Sequence, residues 1–278
     1  MSTENTRPFL LSLVIMTALS FAPMLSHAAV FWDDEMEEGT SGFSPDYMVS
    51  TMIPTGAMAY DTTVKFSGSG SIRLNYTPSC EPRTFGGLGC GGALSRSIPL
   101  TDDVYRRVYF RMSGTGPTPS DSGSFETSIG NFTKMLRTVS TGLRRAWWVM
   151  GCCGSKRWLH GDEHVPINGA TNTFSSITLA DNRWYCLETH EKLSTPGVAD
   201  GILESWVDGV KVLNKTGYVS RIAGSTDQWN GMGVFRQTGR GNIWWDRYAA
   251  GDTRIGCLGS GNQTDTTPPV PPQALVIR

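Results

Sequence analysis

Apolar and polar residues alternate in short runs along most of this chain, and glycine- and proline-rich turns separate the runs. An alternation of period two belongs to a strand, whose successive side chains point to opposite faces. The predicted strands are SIRLNYT (71–77), VYRRVYFRMS (104–113), NFTKMLRTVS (131–140), RRAWWVMG (144–151) and FSSITLA (174–180). They continue with RWYCLETHEKL (183–193), GILESWVDGVKVLN (201–214), MGVFRQT (232–238) and GNIWWDRYAAG (241–251). Asp208-Gly209 is a hairpin signal inside the 201–214 run and reverses the chain there. Helical periodicity is nearly absent. Many short strands between turn signals predict an all-β sandwich.

Two runs have faces worth reading. In VYRRVYFRM, one parity holds Val104, Arg106, Val108, Phe110 and Met112, and reads mainly as core. The other holds Tyr105, Arg107, Tyr109 and Arg111. In RWYCLETHEKL, Tyr185, Leu187 and Leu193 share a face, and Cys186, Glu188, His190 and Lys192 share the opposite one. An acid, an imidazole and an amine in one row are either a solvated surface with weak ion pairs or the floor of a site. Trp206 shares parity with Glu204 and Asp208, which makes it a candidate stacking platform. Of the Trp244-Trp245 pair, only one ring can face inward.

The ends differ from the middle. Arg7 precedes the apolar run FLLSLVIMTALSFAPML, and SHA-A supplies small residues at a cleavage position, so residues 1–28 read as a secretory signal cut after Ala28. A membrane anchor is the competing reading. Pro23 and a run of about 17 residues favour the cleaved signal, because a span needs roughly 20. No later segment is apolar enough to cross a bilayer, so no membrane contact is expected after signal removal. The expected product is secreted, to the periplasm or the medium. Residues 29–258 then form one β-domain with room for a sizeable core. The tail 259–278, GSGNQTDTTPPVPPQALVIR, reads as a Pro-rich linker or the start of a following module.

The net charge of −1 identifies no partner, but its distribution is uneven. Asp33, Asp34, Glu35, Glu37 and Glu38 cluster without a base. Between Val104 and Gly161 lie Arg106, Arg107, Arg111, Lys134, Arg137, Arg144, Arg145, Lys156 and Arg157, opposed by Asp121 and Glu126. If those strands share a sheet, one surface is strongly positive and attracts polyanions; otherwise the basic residues are merely solvated. The six cysteines all follow the signal, which suits disulfides in an exported chain. Cys80 and Cys90 can close a short loop, and adjacent Cys152 and Cys153 are expected to reach different partners, with Cys186 and Cys257 as options. No paired CxxC motif suggests zinc.

RWYCLETHEKLSTPGVADGILESWVDGVKVLN (183–214) resembles the paired strands of concanavalin A-like jelly rolls in secreted polysaccharide lyases of the alginate and glucuronan type. DEMEEG (34–39) is similar to their acidic first strand, and IWWDRYAAGDTRIG (243–256) to their last. The resemblance implies a concanavalin A-like β-jelly-roll sandwich of two antiparallel sheets, acting on an acidic polysaccharide rather than a nucleic acid. Neither the E-x-D-x-x-E strand of related hydrolases nor the Tyr-Phe-Lys-x-Gly-x-Tyr signature of one alginate lyase group is present. A non-catalytic carbohydrate-binding module and a structural surface protein therefore stand beside the lyase, and the oligomeric state stays open.

A uronate lyase must neutralise a carboxylate, remove the neighbouring proton and protonate the leaving oxygen, and no metal is required for this. In the implied groove His190 is the expected base, Tyr109 the acid and Arg107 the carboxylate clamp. Tyr105, Arg111, Arg137, Glu188, Lys192 and Trp206 are expected to hold the substrate, since Arg forks grip carboxylates and aromatic rings stack on sugars. His160 and His164, in WLHGDEHVP, are rival bases on an expected loop. The resemblance also implies a structural calcium between the first and last strands, with Glu37 and Asp246 as ligands and carbonyls near Gly70 as helpers.

Overall fold

The computed structural model describes residues 30–37, 48–49, 58–75, 92–113, 132–140, 144–152, 155–163, 173–236 and 242–258. Among these the strands are β1 (Val30–Asp34), β2 (Met48–Val49), β3 (Met58–Asp61), β4 (Ser71–Asn75) and β5 (Gly92–Thr101). They continue with β6 (Asp103–Ser113), β7 (Phe132–Val139), β8 (Arg144–Cys152), β9 (Ser155–Glu163) and β10 (Thr173–Leu179). The last are β11 (Trp184–Lys192), β12 (Gly201–Val207), β13 (Val210–Tyr218), β14 (Trp229–Arg236) and β15 (Asn242–Gly251). The larger sheet runs β13-β12-β11-β6-β15-β4-β3, with β1 also on β15. The smaller runs β10-β9-β8-β7-β14-β5-β2. The described residues contain no helix, and so none long and apolar enough to cross a membrane.

The two sheets close on one apolar layer. Val108, Phe110 and Met112 of β6, Tyr185 and Leu187 of β11, Leu203 and Val207 of β12, and Ile243 and Trp245 of β15 meet Leu94, Met135, Leu136, Met232 and Val234 of the smaller sheet. Full burial of each such side chain contributes about 1.5–3 kcal/mol. Trp245 lies in this core, whereas Trp244 faces outward and donates its indole N–H to Asp61 at 2.9 Å. Asp208 and Gly209 both take positive φ, 51° and 80°, and make the expected tight turn between β12 and β13. Arg247, at φ 51°, sits in a register shift of the β15–β6 pairing. The shift leaves Asp246 on the outer face while Trp245 and Tyr248 both join the core.

Several expectations change. Residues 158–163, read as part of a loop, belong to β9, while His164 lies outside the described residues. Strand β5 was hidden by its Gly, Ser and Pro content. Pro99 is tolerated there because the pairing with β14 shifts register between Ser97 and Thr101. The basic residues of 104–161 do not share a sheet. Arg106, Arg107 and Arg111 stand on β6 in the larger sheet, and Lys134, Arg137, Arg144, Arg145, Lys156 and Arg157 stand on β7–β9 in the smaller. Cys186 and Cys257 are bonded to each other, so neither serves Cys152 or Cys153. The Cys80–Cys90 loop lies outside the described residues.

Arg106 points into the core as its parity requires, yet it is charged. Its guanidinium ion-pairs with Glu191 of β11 at 2.6 Å and donates to Thr138 of β7 at 2.6 Å and to Thr189 at 3.2 Å. Thr138 also donates to Glu191 at 2.8 Å. The pair is fully buried and ties the two sheets together through β7.

Candidate functional site

The row on β11 forms as its alternation requires, on the outer face of the larger sheet. Antiparallel register places Glu188 beside Arg107, Cys186 beside Tyr109 and His190 beside Tyr105 on β6. On the other flank it places Trp206 beside Glu188 and Glu204 beside His190. Arg107, Tyr109, Glu188, His190, Lys192, Trp206 and Tyr105 are thus brought onto one surface. Arg111 lies at its margin, donating to Asn182 at 3.2 Å and standing over the Trp244 ring. Arg137 is elsewhere, on β7 of the other sheet.

This surface is closed. His190 is 4 % exposed, with Nδ1 on Glu204 at 2.8 Å, Nε2 on Asp103 at 2.7 Å and its ring stacked on Tyr105 at 4.0 Å. Burial alone would lower its pKa, but the hydrogen bonds the ring donates to Asp103 and Glu204 outweigh it and hold it above the ordinary 6.5. Glu204 is in turn held below the usual carboxylate range: its burial opposes the shift, and Lys211, at 2.6 Å, and His190 carry it. Between two carboxylates the imidazolium is favoured, and in that form both N–H groups are committed. A base needs a free lone pair aimed at substrate, so the expected proton-abstracting role of His190 conflicts with this geometry.

The neighbours are engaged in the same way. Arg107 donates to both oxygens of Asp33, at 2.9 and 3.0 Å. The Tyr109 hydroxyl donates to the Leu258 carbonyl at 3.2 Å, and its ring stacks on Phe66 at 3.7 Å. Burial pushes the Tyr109 hydroxyl up from its ordinary 10.0, which leaves it neutral. Glu188 accepts the Gly256 N–H at 2.6 Å and pairs with Arg254. Trp206 is 5 % exposed, with Arg254 at 4.6 Å and Lys211 at 5.0 Å from its ring, so the stacking place expected for a sugar holds two cations. Parity identified the row, but its covers come from residues 61–70 and 252–258, far away in sequence.

The outer face of the smaller sheet has a different floor. Met232 and Val234 of β14 are in the core, so Gly231 and Gly233 take the outward positions. A Cβ at Gly233 would meet the Leu94 carbonyl at 2.5 Å and Ser95 Oγ at 2.8 Å. Position 137 pairs with Gly233 and lies opposite in parity to the buried Leu136 and Thr138. It thus borders a strip of backbone without side chains, a feature that alternation of apolar and polar residues does not reveal. His160 is the histidine on this sheet among the described residues; it is in register with Trp147, itself paired with the core residue Leu136, and so stands on the inner face.

The acidic pair expected to hold a cation also converges. Asp246 is buried. Its Oδ2 accepts the N–H groups of Phe66 and Ser67 at 2.7 and 3.2 Å, and its Oδ1 has no hydrogen-bond partner. Burial, with the Glu37 charge adding to it, raises its carboxyl to about 7. Glu37 accepts from the Ser69 amide and hydroxyl and from Tyr60. Among the described residues no group of three or more His, Cys, Asp or Glu forms a metal cluster.

No family model matches the chain, and no curated protein matches it in sequence. Solved structures do. "Cellulose induced protein, Cip1" aligns with 19 % identity over 82 % of this chain and 100 % of its own, at TM-score 0.55. The PL-14 alginate lyase from Aplysia kurodai aligns with 11 % identity over 80 % and 99 %, at TM-score 0.56. A mutant of the alginate lyase Aly36B, in complex with an alginate tetrasaccharide, aligns with 9 % identity over 74 % and 88 %, at TM-score 0.50. With its two antiparallel sheets, the chain has the jelly-roll fold of polysaccharide lyases.

Proposed function

We propose that this is a secreted carbohydrate-active protein that takes an acidic polysaccharide across the outer face of the smaller sheet and cleaves it by β-elimination. One observation carries the choice of face. The centre of the larger sheet is sealed, whereas pairing register on the smaller sheet puts the basic positions 134, 137, 144 and 157 on the same outer face as Gly231 and Gly233. A polyuronate needs cations along its track and a floor that lets sugar rings approach the backbone. The alginate-lyase neighbours support the substrate class through fold alone.

On this reading Arg137 contributes to the carboxylate clamp, and His160 is not its base: it pairs with Trp147, whose partner Leu136 is in the core, so register puts it on the inner face. His190, Tyr109, Arg107, Glu188 and Trp206 hold the larger sheet together. Their complete engagement also favours a second reading, a binding module without turnover. Incubation with alginate, glucuronan and pectate, followed at the unsaturated-uronate absorbance band, separates the two. Turnover of any of the three polymers that is lost in Arg137→Ala supports the lyase. Salt-sensitive binding without absorbance change supports the module. Binding unaffected by Arg137→Ala and by salt rejects the face.

We further propose a calcium held by Glu37 and Asp246. Asp246 Oδ1 is a buried oxygen without a partner beside a second carboxylate, which suits a hard cation that takes oxygen ligands. The ion would fix the 61–70 loop over Tyr109 and takes no part in the chemistry.

A further inference from the structure

Residues 252–258 follow the last strand, take part in no ladder, and lie across the outer face of β11 and β12. Non-covalently the segment is held by a few polar contacts. The Gly256 amide donates to Glu188 Oε1 at 2.6 Å, Arg254 Nε donates to Glu188 Oε2 at 3.2 Å, and Tyr109 donates to the Leu258 carbonyl at 3.2 Å. The Arg254 guanidinium also covers the Trp206 ring at 4.6 Å. The covalent hold is Cys186–Cys257, joining the segment to the middle of β11 across 71 residues. Cys186 is 4 % exposed, while Cys257 is partly exposed and is the more accessible end of the bond.

We propose that Cys186–Cys257 is a redox-sensitive latch that keeps this strap closed over Glu188 and Trp206, and that its reduction opens the strap while the sandwich stays folded. Both sheets pair and pack without residues 252–258, so their hydrogen bonds and core do not depend on the strap. The strap is already tethered at Gly251, and the disulfide adds a second tether at Cys257 that raises the effective concentration of these contacts. Once it is cut, the Glu188, Tyr109 and Arg254 contacts compete with water on the exposed side of the strap. The step is thiol–disulfide exchange with an external dithiol. A dithiol thiolate attacks one protein sulfur, the mixed disulfide is displaced by the second dithiol sulfur, and the dithiol leaves as its cyclic disulfide. Two electrons and two protons end on Cys186 and Cys257 as thiols. The latch does not depend on the proposed lyase activity, and its test reads no activity.

The intact chain is treated with dithiothreitol without denaturant. Three quantities are followed: alkylation of each cysteine by peptide mass, hydrogen exchange at the Gly256 amide and along β11, and carbodiimide labelling of Glu188. The expected result is alkylation at both Cys186 and Cys257, Gly256 exchange at least about tenfold faster, as for local opening, and Glu188 labelling that appears only after reduction. Protection along the Thr189–Glu191 backbone is retained. The double variant Cys186→Ser/Cys257→Ser breaks this bond alone and is expected to match the reduced protein with a single cooperative melt. Three results overturn the proposal: unchanged Gly256 protection and Glu188 labelling after the bond is cut, loss of β11 protection together with the strap, or a double variant that does not fold.

Discussion

Replacing His190 by alanine is expected to lower stability, and by more at acidic than at alkaline pH. In the folded protein the imidazolium bridges Glu204 at 2.8 Å and Asp103 at 2.7 Å, from β12 and the start of β6. The folded pKa lies above 6.5. The charge-linked stabilisation is therefore fully present below the unfolded value and is lost as pH rises through the raised folded value. Other charges face the ring as well: Lys211 through Glu204, the Tyr105 hydroxyl from β6, and Glu188 and Arg254 farther along the row. Two charge-assisted hydrogen bonds, one to a half-exposed Asp103, amount to about 2–3 kcal/mol, of which about 1–2 kcal/mol depends on the proton. For a domain of this size 1 kcal/mol shifts Tm by about 2–4 °C. The gap in Tm between parent and His190→Ala is thus expected to be about 4–12 °C below pH 6.5 and to narrow by about 2–8 °C at alkaline pH. Calorimetry of both proteins from pH 5 to about 10 measures it. Because the variant retains Asp246, the separate titration of that group cancels in the difference. A gap that stays constant, or widens as pH rises, refutes the imidazolium clasp. A stable His190→Ala that loses turnover returns His190 to the role of base.

Other consequences follow from single contacts. Arg106→Met leaves Glu191 buried without its ion pair and should cost about 3–5 kcal/mol in urea unfolding; adding Glu191→Leu should recover much of that loss, because the stranded charge goes too. Asp246 has a raised carboxyl pKa, so in cation-free protein its penalty grows as pH rises from 3.8 through about 7. Asp246→Asn is therefore expected to raise Tm at pH 8 in chelator and to abolish any rise on adding calcium; a calcium response that survives the substitution rules out this ligand. Gly209→Ala, at φ +80° with open space around its Cβ position, should cost about 1 kcal/mol through backbone strain alone, read from the shift in urea midpoint.

The alternation along 71–77, 104–113, 131–151, 174–180, 183–214, 232–238 and 241–251 was enough to predict most of the strands, the Asp208-Gly209 turn and an all-β sandwich. Period two is a local property, and the apolar parity of β6, β11 and β15 had to face a core in any sheet that used it. Local pattern also marked Glu188, His190, Tyr105 and Tyr109 as one kind of row, which the antiparallel register then assembled. It missed β1, β2, β3, β5 and β9; in β5 and β9 Gly, Ser, Pro and charged residues mask the period. It could not tell that Arg106, at a core parity, would meet Glu191 and Thr138 there, 85 and 32 residues away in sequence.

Only the tertiary structure decided that the outer face of the larger sheet is covered. A strand's alternation separates inside from outside, but it does not state what lies against the outside. For the larger sheet the answer comes from Asp33, from Phe66 and from the strap 252–258. These reach Arg107, Tyr109 and Glu188 across separations of 74, 43 and 68 residues. Such contacts leave no periodic trace, because they are made by irregular segments whose side chains follow no repeat. The row that looked like a groove floor became a clasp because His190 found a carboxylate at each ring nitrogen. Glu204 stands directly opposite His190 on β12, and Asp103 reaches it diagonally from β6, two residues before Tyr105, the register partner of His190.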